Sequence, residues 1–177
     1  MRESAAGHER IEWRDGTAES LPLTGALVGA VVCAQAFHWF DPRAALREFA
    51  RVLKRGGRLA LIWNNRDLND PLTHGYSDIV RAHAIEKGVD KEMQTDALHA
   101  TNEPLVNARH EVYIGTPQLL DADGLVGRAA SASYCLTEGT AFDATRDALI
   151  QLHRTYADDS GQVPLRYQTD VYTATRA

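Results

Sequence analysis

The segment from Gly16 to Asn64 restricts the possible folds of this chain more than any other stretch. It reads GTAESLPLTGALVGAVVCAQAFHWFDPRAALREFARVLKRGGRLALIWN. A polar turn leads into an apolar, valine-rich run, Leu27–Ala34. A run that is apolar on both faces belongs in the centre of a parallel sheet covered by helices. After an aromatic loop, Asp41 and Pro42 supply an N-cap and a first helical residue. Leu46, Phe49, Ala50 and Leu53 recur on one helical face, with Arg47, Arg51 and Lys54 pointing elsewhere. Lys54 and Arg55 suit the negative end of that helix, and Gly56-Gly57 is expected to stop it by adopting a left-handed backbone. Leu59–Trp63 reads as a second buried strand. Strand, helix and strand joined by tight turns make a βαβ unit with a right-handed crossover, the second half of a nucleotide-type α/β domain.

The flanks add weaker elements. Ile11 and Trp13 alternate with Glu12 and Arg14, which predicts a short strand closed by Asp15-Gly16. Asp70-Pro71 opens a helix running to about Glu86, with Ile79 and Ala82 on its apolar side. Residues 88–109 predict no definite element. Glu111–Ile114 predicts a strand and Asp121–Ala130 a short helix. Phe142–Ala157 predicts a longer helix with Leu149, Leu152 and Tyr156 in its stripe. Past Pro164, Leu165, Tyr167, Thr169 and Val171 alternate with polar residues as a last strand. The 177 residues fit a single domain.

Composition narrows the function classes. The net charge is -5 and there is no long block of Lys or Arg, which argues against a basic nucleic-acid face. The longest apolar run, Ala26–Ala34, is far short of the ~20 residues that span a bilayer. The polar N-terminus lacks a signal-peptide core. A soluble, cytoplasmic protein with no membrane partner is expected. Cys33 and Cys135 form no CxxC pair and are expected to be buried, unpaired thiols. No His, Cys and Asp cluster has ligand spacing, so no metal is implied.

Four segments together resemble the class I S-adenosylmethionine-dependent methyltransferases. They are Gly16-Thr17-Ala18-Glu19-Ser20-Leu21-Pro22-Leu23, Gln35-Ala36-Phe37-His38-Trp39-Phe40-Asp41, Arg51-Val52-Leu53 with Gly56-Gly57, and Trp63-Asn64-Asn65-Arg66-Asp67. The QAFHWFD segment is similar to the small-molecule branch of that family. So is the tail, with Gly127-Arg128, Ser131-Ala132-Ser133-Tyr134, Tyr167 and Tyr172. The resemblance implies an α/β, Rossmann-like sheet of seven strands, parallel with a reversed last strand, and a cofactor across the strand ends at the switch point. Ile11–Arg14 would be the third strand, Leu27–Ala34 the fourth and Leu59–Trp63 the fifth. The sixth and seventh would lie near Val112 and Val171.

The family's first strand ends in a glycine-rich cofactor loop, and its second in an acidic residue that holds the ribose. The fifteen residues before Gly16 contain neither. The expectation is therefore a single, N-terminally truncated domain over residues 1–177, with a partial sheet missing its first two strands. Three positions depart from the family pattern. Thr17 stands where many relatives have an acidic residue facing the adenine amino group. Gly29 stands where an Asp commonly begins the fourth strand, and Arg55 replaces the usual proline.

By the same resemblance Thr17, Ala18 and Glu19 would lie beside the adenine of S-adenosylmethionine, and Ala34, Gln35 and Ala36 near its sulfonium. His38 is the candidate general base, because an acceptor hydroxyl or amine must lose a proton. Its structural alternative is a hydrogen bond to backbone that shapes the loop. Phe37, Trp39 and Asn64 are candidates for the acceptor pocket, against plain core packing for the two aromatics. Glu19 could equally be a turn residue. Arg66-Asp67 reads as a local structural pair, His153 and Tyr156 as packing, and Arg109-His110-Glu111 as solvated surface. The function implied is methyl transfer from S-adenosylmethionine to a small organic molecule. The missing loop sets a second reading beside it: a non-catalytic, methyltransferase-like remnant acting as an interaction module, pairing as a homodimer through an exposed sheet edge.

Overall fold

Parallel pairing of strand β1 (Val28–Ala34) with strand β2 (Leu53–Arg66), joined through helix α1 (Pro42–Val52), realises the βαβ unit. The computed structural model describes residues 9–82, 104–132 and 138–177. Asp41 caps α1, its side chain accepting from the Ala44 N–H at 2.8 Å, with Pro42 as first residue. The apolar face buries Ala45, Leu46, Phe49, Ala50 and Val52.

The end of α1 differs from expectation. Leu53 is already extended (φ -68, ψ 140) and opens β2, so Lys54 and Arg55 lie on a strand and Gly56-Gly57 is not the helix stop. The glycines accommodate a bulge instead. Val28 faces Leu53 and Ala30 faces Arg58, two steps along β1 against five along β2. Gly56 at φ +72 takes the left-handed turn that looping out the surplus requires. A Cβ on Gly57 would sit 2.7 Å from the Lys54 carbonyl oxygen, so that position has room only for hydrogen.

The main sheet has the order β1-β2-β6-β3, where β3 is Leu105–Ile114 and β6 is Tyr167–Arg176. The last strand is thus inserted between β2 and β3, and its direction follows from three contacts. Arg176, at the end of β6, donates to the carbonyl of Leu53, at the start of β2. Thr169, near the start of β6, donates to Asn64 Oδ1 at 3.0 Å, near the end of β2. On the other side the Ala177 N–H bonds the Pro104 carbonyl at 2.9 Å. Strand β6 runs against β2, which is the reversed last strand expected from the resemblance.

Several expectations fail at the level of burial. Strand β1 is not buried on both faces: only Cys33 is buried, and Val32 is 64% exposed. Among the described residues β1 has a strand neighbour on one side only. A valine-rich run reports apolarity, not what covers it. Ile11–Arg14 is not a strand. Arg14 bonds Glu12 at 2.8 Å and the Pro22 carbonyl at 3.1 Å, while Ile11 and Trp13 stay exposed. An alternating tetrad with no ladder partner has nowhere to place its backbone bonds. In β6 the buried positions are Tyr172 and Ala174, the opposite parity from that read in the sequence. Leu165 belongs to a separate strand, β5 (Val163–Leu165), paired antiparallel with β4 (Gln118–Leu120). Strand β3 begins at Leu105, inside the stretch that the sequence left without an element.

The described residues cluster into two compact units. One comprises residues 9–62, 104–110 and 172–177, and the other residues 63–82, 111–132 and 138–171. The second has its own core between α2 (Pro71–Ala82), α3 (Ala122–Ala130), α4 (Thr140–Tyr156) and β5. Leu72, Tyr76, Val80, Leu125, Ala129, Leu149, Val163 and Leu165 form it. The buried face of α2 is Leu72, Thr73, Tyr76, Ser77 and Val80, with Ile79 only partly buried and Ala82 exposed. In α4 the stripe ends early. Tyr156 is 42% exposed, and His153 is buried instead, its Nε2 3.1 Å from the Gly161 carbonyl oxygen. The expected helix end near Glu86, and Cys135, Ser133 and Tyr134, lie outside the described residues.

Candidate functional site

Strand β1 ends at Ala34, and the next residue turns sharply. Gln35 takes a left-handed backbone (φ +52), rare for a residue with a Cβ, while its N–H still bonds the Ile62 carbonyl at 2.9 Å. Strain of this kind collects at functional loops. Ala36 then caps a single 3-10 turn, Phe37–Trp39, closed by the Trp39 N–H on the Ala36 carbonyl at 3.0 Å.

The three aromatic residues of that turn separate by burial. Phe37 is fully buried, edge-on to Phe40 and tilted against Phe49, so its place is in the core beneath the turn. His38 is partly buried, with its ring centroid 4.9 Å from that of Trp39. Trp39 is 62% exposed and presents its indole to solvent.

A second turn is joined to the first by hydrogen bonds. Thr17 and Ser20 face each other as an isolated antiparallel bridge, with reciprocal N–H to carbonyl bonds of 3.3 and 3.1 Å. Ala18 and Glu19 form its tip. The Glu19 carboxylate accepts from the Asp41 N–H at 3.0 Å, tying this tip to the residue that caps α1. Thr17–Glu19 and Gln35–Trp39 are therefore gathered around the N-terminus of α1, within one unit of the structure.

The far end of the Thr17–Leu23 segment is held by a pair that sequence reasoning missed. Glu48 Oε1 accepts from the Leu21 N–H at 2.7 Å. Arg51 donates to both Glu48 oxygens, at 2.7 Å from Nε and 2.6 Å from Nη2, and Nη2 also reaches the carbonyls of Leu23 at 2.8 Å and Leu21 at 3.3 Å. The Arg51 fork holds the Glu48 carboxyl below its ordinary range, with the Leu21 N–H adding to the effect, and Glu48 in turn raises Arg51. The available signal was the i,i+3 spacing of Glu48 and Arg51 on a helix. Cys33, at the end of β1, has its thiol pushed up by burial, partly offset by a backbone bond from Ala36.

Asn64 lies in the second unit, where its Oδ1 accepts from Thr169. Beyond it, Asn65 bonds Asp170 at 2.8 Å. Arg66 lies over the Tyr76 ring, 5.3 Å from its centroid, with Nη1 3.3 Å from Ser77 Oγ. Asp67 accepts from Asn69 and Gln168 at 3.0–3.1 Å. Arg66 and Asp67 are thus spoken for by separate partners. His110 stacks on Tyr172 with ring centroids 4.1 Å apart. No group of His, Cys, Asp or Glu could hold a metal, and no helix is long and apolar enough to cross a membrane, among the described residues.

The chain is similar to known methyltransferases in sequence and in fold. Residues 1–61 match the family model described as a methyltransferase domain. An uncharacterized methyltransferase of Mycobacterium tuberculosis is 36% identical over 171 residues, covering 92% of this chain and 64% of its own length. The chain thus spans just under two thirds of that relative. The uncharacterized methyltransferase YcgJ of Bacillus subtilis is 46% identical over 57 residues, 32% of this chain and 22% of its own. The crystal structure of YcgJ superposes with a TM-score of 0.51 at 20% identity, covering 96% of this chain and 73% of that one. A structure from Anabaena variabilis, assigned as a methyltransferase of an antibiotic biosynthesis pathway, reaches a TM-score of 0.59 at 18% identity. It covers 96% of this chain and 76% of its own.

Proposed function

We propose that this chain, which belongs to the class I S-adenosylmethionine-dependent methyltransferase family, uses the paired turns around the α1 N-terminus to bind S-adenosylmethionine and methylates a small organic molecule. The observation that carries this reading is the convergence of the Thr17–Ser20 turn and the strained β1 end on one helix terminus. Helix termini and strand ends with exposed backbone groups are where nucleotide-like ligands are held in open α/β sheets.

The residues fit the group. The reciprocal Thr17–Ser20 bonds leave the N–H groups of Ala18 and Glu19 outside the bridge, suited to meet the hydrogen-bonding edge of adenine. Thr17, without a carboxylate, leaves adenine recognition to that backbone. The left-handed Gln35 swings the chain out of line after Ala34, and Ala34 and Gln35 are both exposed. Trp39, largely exposed, has an aromatic face of the kind that attracts a cation. When bound, the cofactor supplies an activated methyl group on a positively charged sulfur, transferred by in-line displacement. The protein then has to align the two reactants and exclude water. His38, whose ring lies against that of Trp39, is assigned the role of accepting a proton from the acceptor. Trp39 is assigned to the acceptor side. Glu19 acts here as a structural acceptor for the Asp41 N–H.

Calorimetric titration of the 177-residue chain with S-adenosylmethionine and S-adenosylhomocysteine tests this reading. Saturable binding at one site is expected. A folded chain that takes up neither ligand refutes it.

A further inference from the structure

We propose that Glu48 and Arg51 are positioning residues, a clamp through which α1 fixes the Thr17–Leu23 segment in the form that presents it to the cofactor. The inference rests on the binding role proposed above for that segment. Three features of the structure carry it. First, the clamp acts on backbone. Glu48 takes the Leu21 N–H and Arg51 takes the Leu21 and Leu23 carbonyls, so neither side chain depends on what residues 21 and 23 are. Second, the pair is pre-organised. Nε and Nη2 of one guanidinium grip the two oxygens of one carboxylate at 2.6–2.7 Å, and the Glu48 side chain is only 11% exposed. A planar fork locked in this way loses little further freedom when it binds the chain.

Third, the segment has two anchors on one helix. Glu19 is tied to the Asp41 N–H at the first turn of α1, and Leu21 and Leu23 to Glu48 and Arg51 at its later turns. The Thr17–Ser20 bridge is a two-bond turn outside any sheet. Such a turn has little stability of its own. Its conformation is inherited from α1, which also delivers the chain to β1, because the Ala26 N–H bonds the Arg51 carbonyl at 2.9 Å. Releasing the clamp would leave the tip free to sample conformations in which the Ala18 and Glu19 N–H groups no longer face the ligand together. Apparent affinity falls by the fraction of time spent in the competent form.

The test compares the full chain with Arg51→Lys, Glu48→Gln and a control, Arg47→Ala, on an exposed position of the same helix. Lysine keeps the charge but lacks the fork. Three quantities are read: dissociation constants for adenosine and S-adenosylhomocysteine, amide hydrogen exchange at Ser20 and Leu21, and the thermal midpoint. Arg51→Lys is expected to weaken both ligands by the same factor, about tenfold, which corresponds to ~1.4 kcal/mol. It should also speed exchange at Ser20 and Leu21 while amides within β2, such as Leu61, keep their protection. Glu48→Gln should do likewise to a smaller degree, and Arg47→Ala should do neither. A drop in thermal midpoint with wild-type affinities would make the pair merely structural and overturn the proposal. If the wild-type chain binds neither ligand, the cofactor reading falls and exchange alone judges the clamp. Selective release of Ser20 and Leu21 would then sustain it, and unchanged exchange would overturn it.

Discussion

At the scale of single residues, the Glu48–Arg51 pair makes stability depend on pH in a definite direction. The folded carboxyl is held below its ordinary value by Arg51 first and the Leu21 N–H after it. Its contribution is therefore complete above the unfolded value, about 4.3 for glutamate, and is lost as pH falls through the lower folded value. Glu48→Gln should lower stability at pH 7 by about 1 kcal/mol, a figure discounted because Arg51 is substantially exposed. The difference between the two proteins should shrink as pH drops below 4, which thermal melts across pH 3–7 would show. Cys33 gives a second prediction. Its thiol is buried and pushed up, so alkylation by iodoacetamide at pH 7.5 should be markedly slower than in the unfolded chain, read by site-resolved mass spectrometry. The cap at Asp41 and the first residue Pro42 were legible because their chemistry is local. The roles of Glu48 and Glu19 were not, because each acts on backbone more than twenty positions away, and no spacing rule reaches that far.

At the scale of elements, the glycine pair of β2 separates two kinds of cost. Gly56 has a left-handed backbone in open space, so Gly56→Ala should cost about 1–2 kcal/mol of backbone strain alone. Gly57→Ala drives a methyl to within 2.7 Å of a backbone carbonyl, and the bulge must shift. It should cost about 1–3 kcal/mol and disturb the pairing of Val28 with Leu53, whereas Gly56→Ala should leave that register intact. Denaturant melts and amide exchange at Val28 would distinguish them. In the second unit Leu149 is fully buried among α2, α3, α4 and β5, so Leu149→Ala should cost about 2–5 kcal/mol. The βαβ unit was readable because its helix face, cap and apolar strands agree. The boundary after Val52 was misread because Gly-Gly serves a strand bulge as well as it serves a helix C-cap. The parity of β6 was misread because weak alternation does not say which face is covered.

At the scale of the whole molecule, resemblance foresaw a reversed last strand, and the cross-strand contacts bear out that direction; its insertion between β2 and β3 was not foreseen. Periodicity alone could not have placed it, since insertion depends on which strand edges are open. The apolarity of β1 was equally plain in sequence, yet its exposure was not, because coverage is set by neighbours and not by composition. The family match falls in residues 1–61, where the two turns of the candidate site also lie. The central claim is that those turns bind the cofactor, and backbone amide NMR during titration with S-adenosylhomocysteine tests it most directly. The account predicts saturable shifts concentrated at Thr17–Ser20 and Ala34–Trp39, with one dissociation constant fitting all of them. Saturable shifts clustered elsewhere, or none at all in a folded chain, would contradict it.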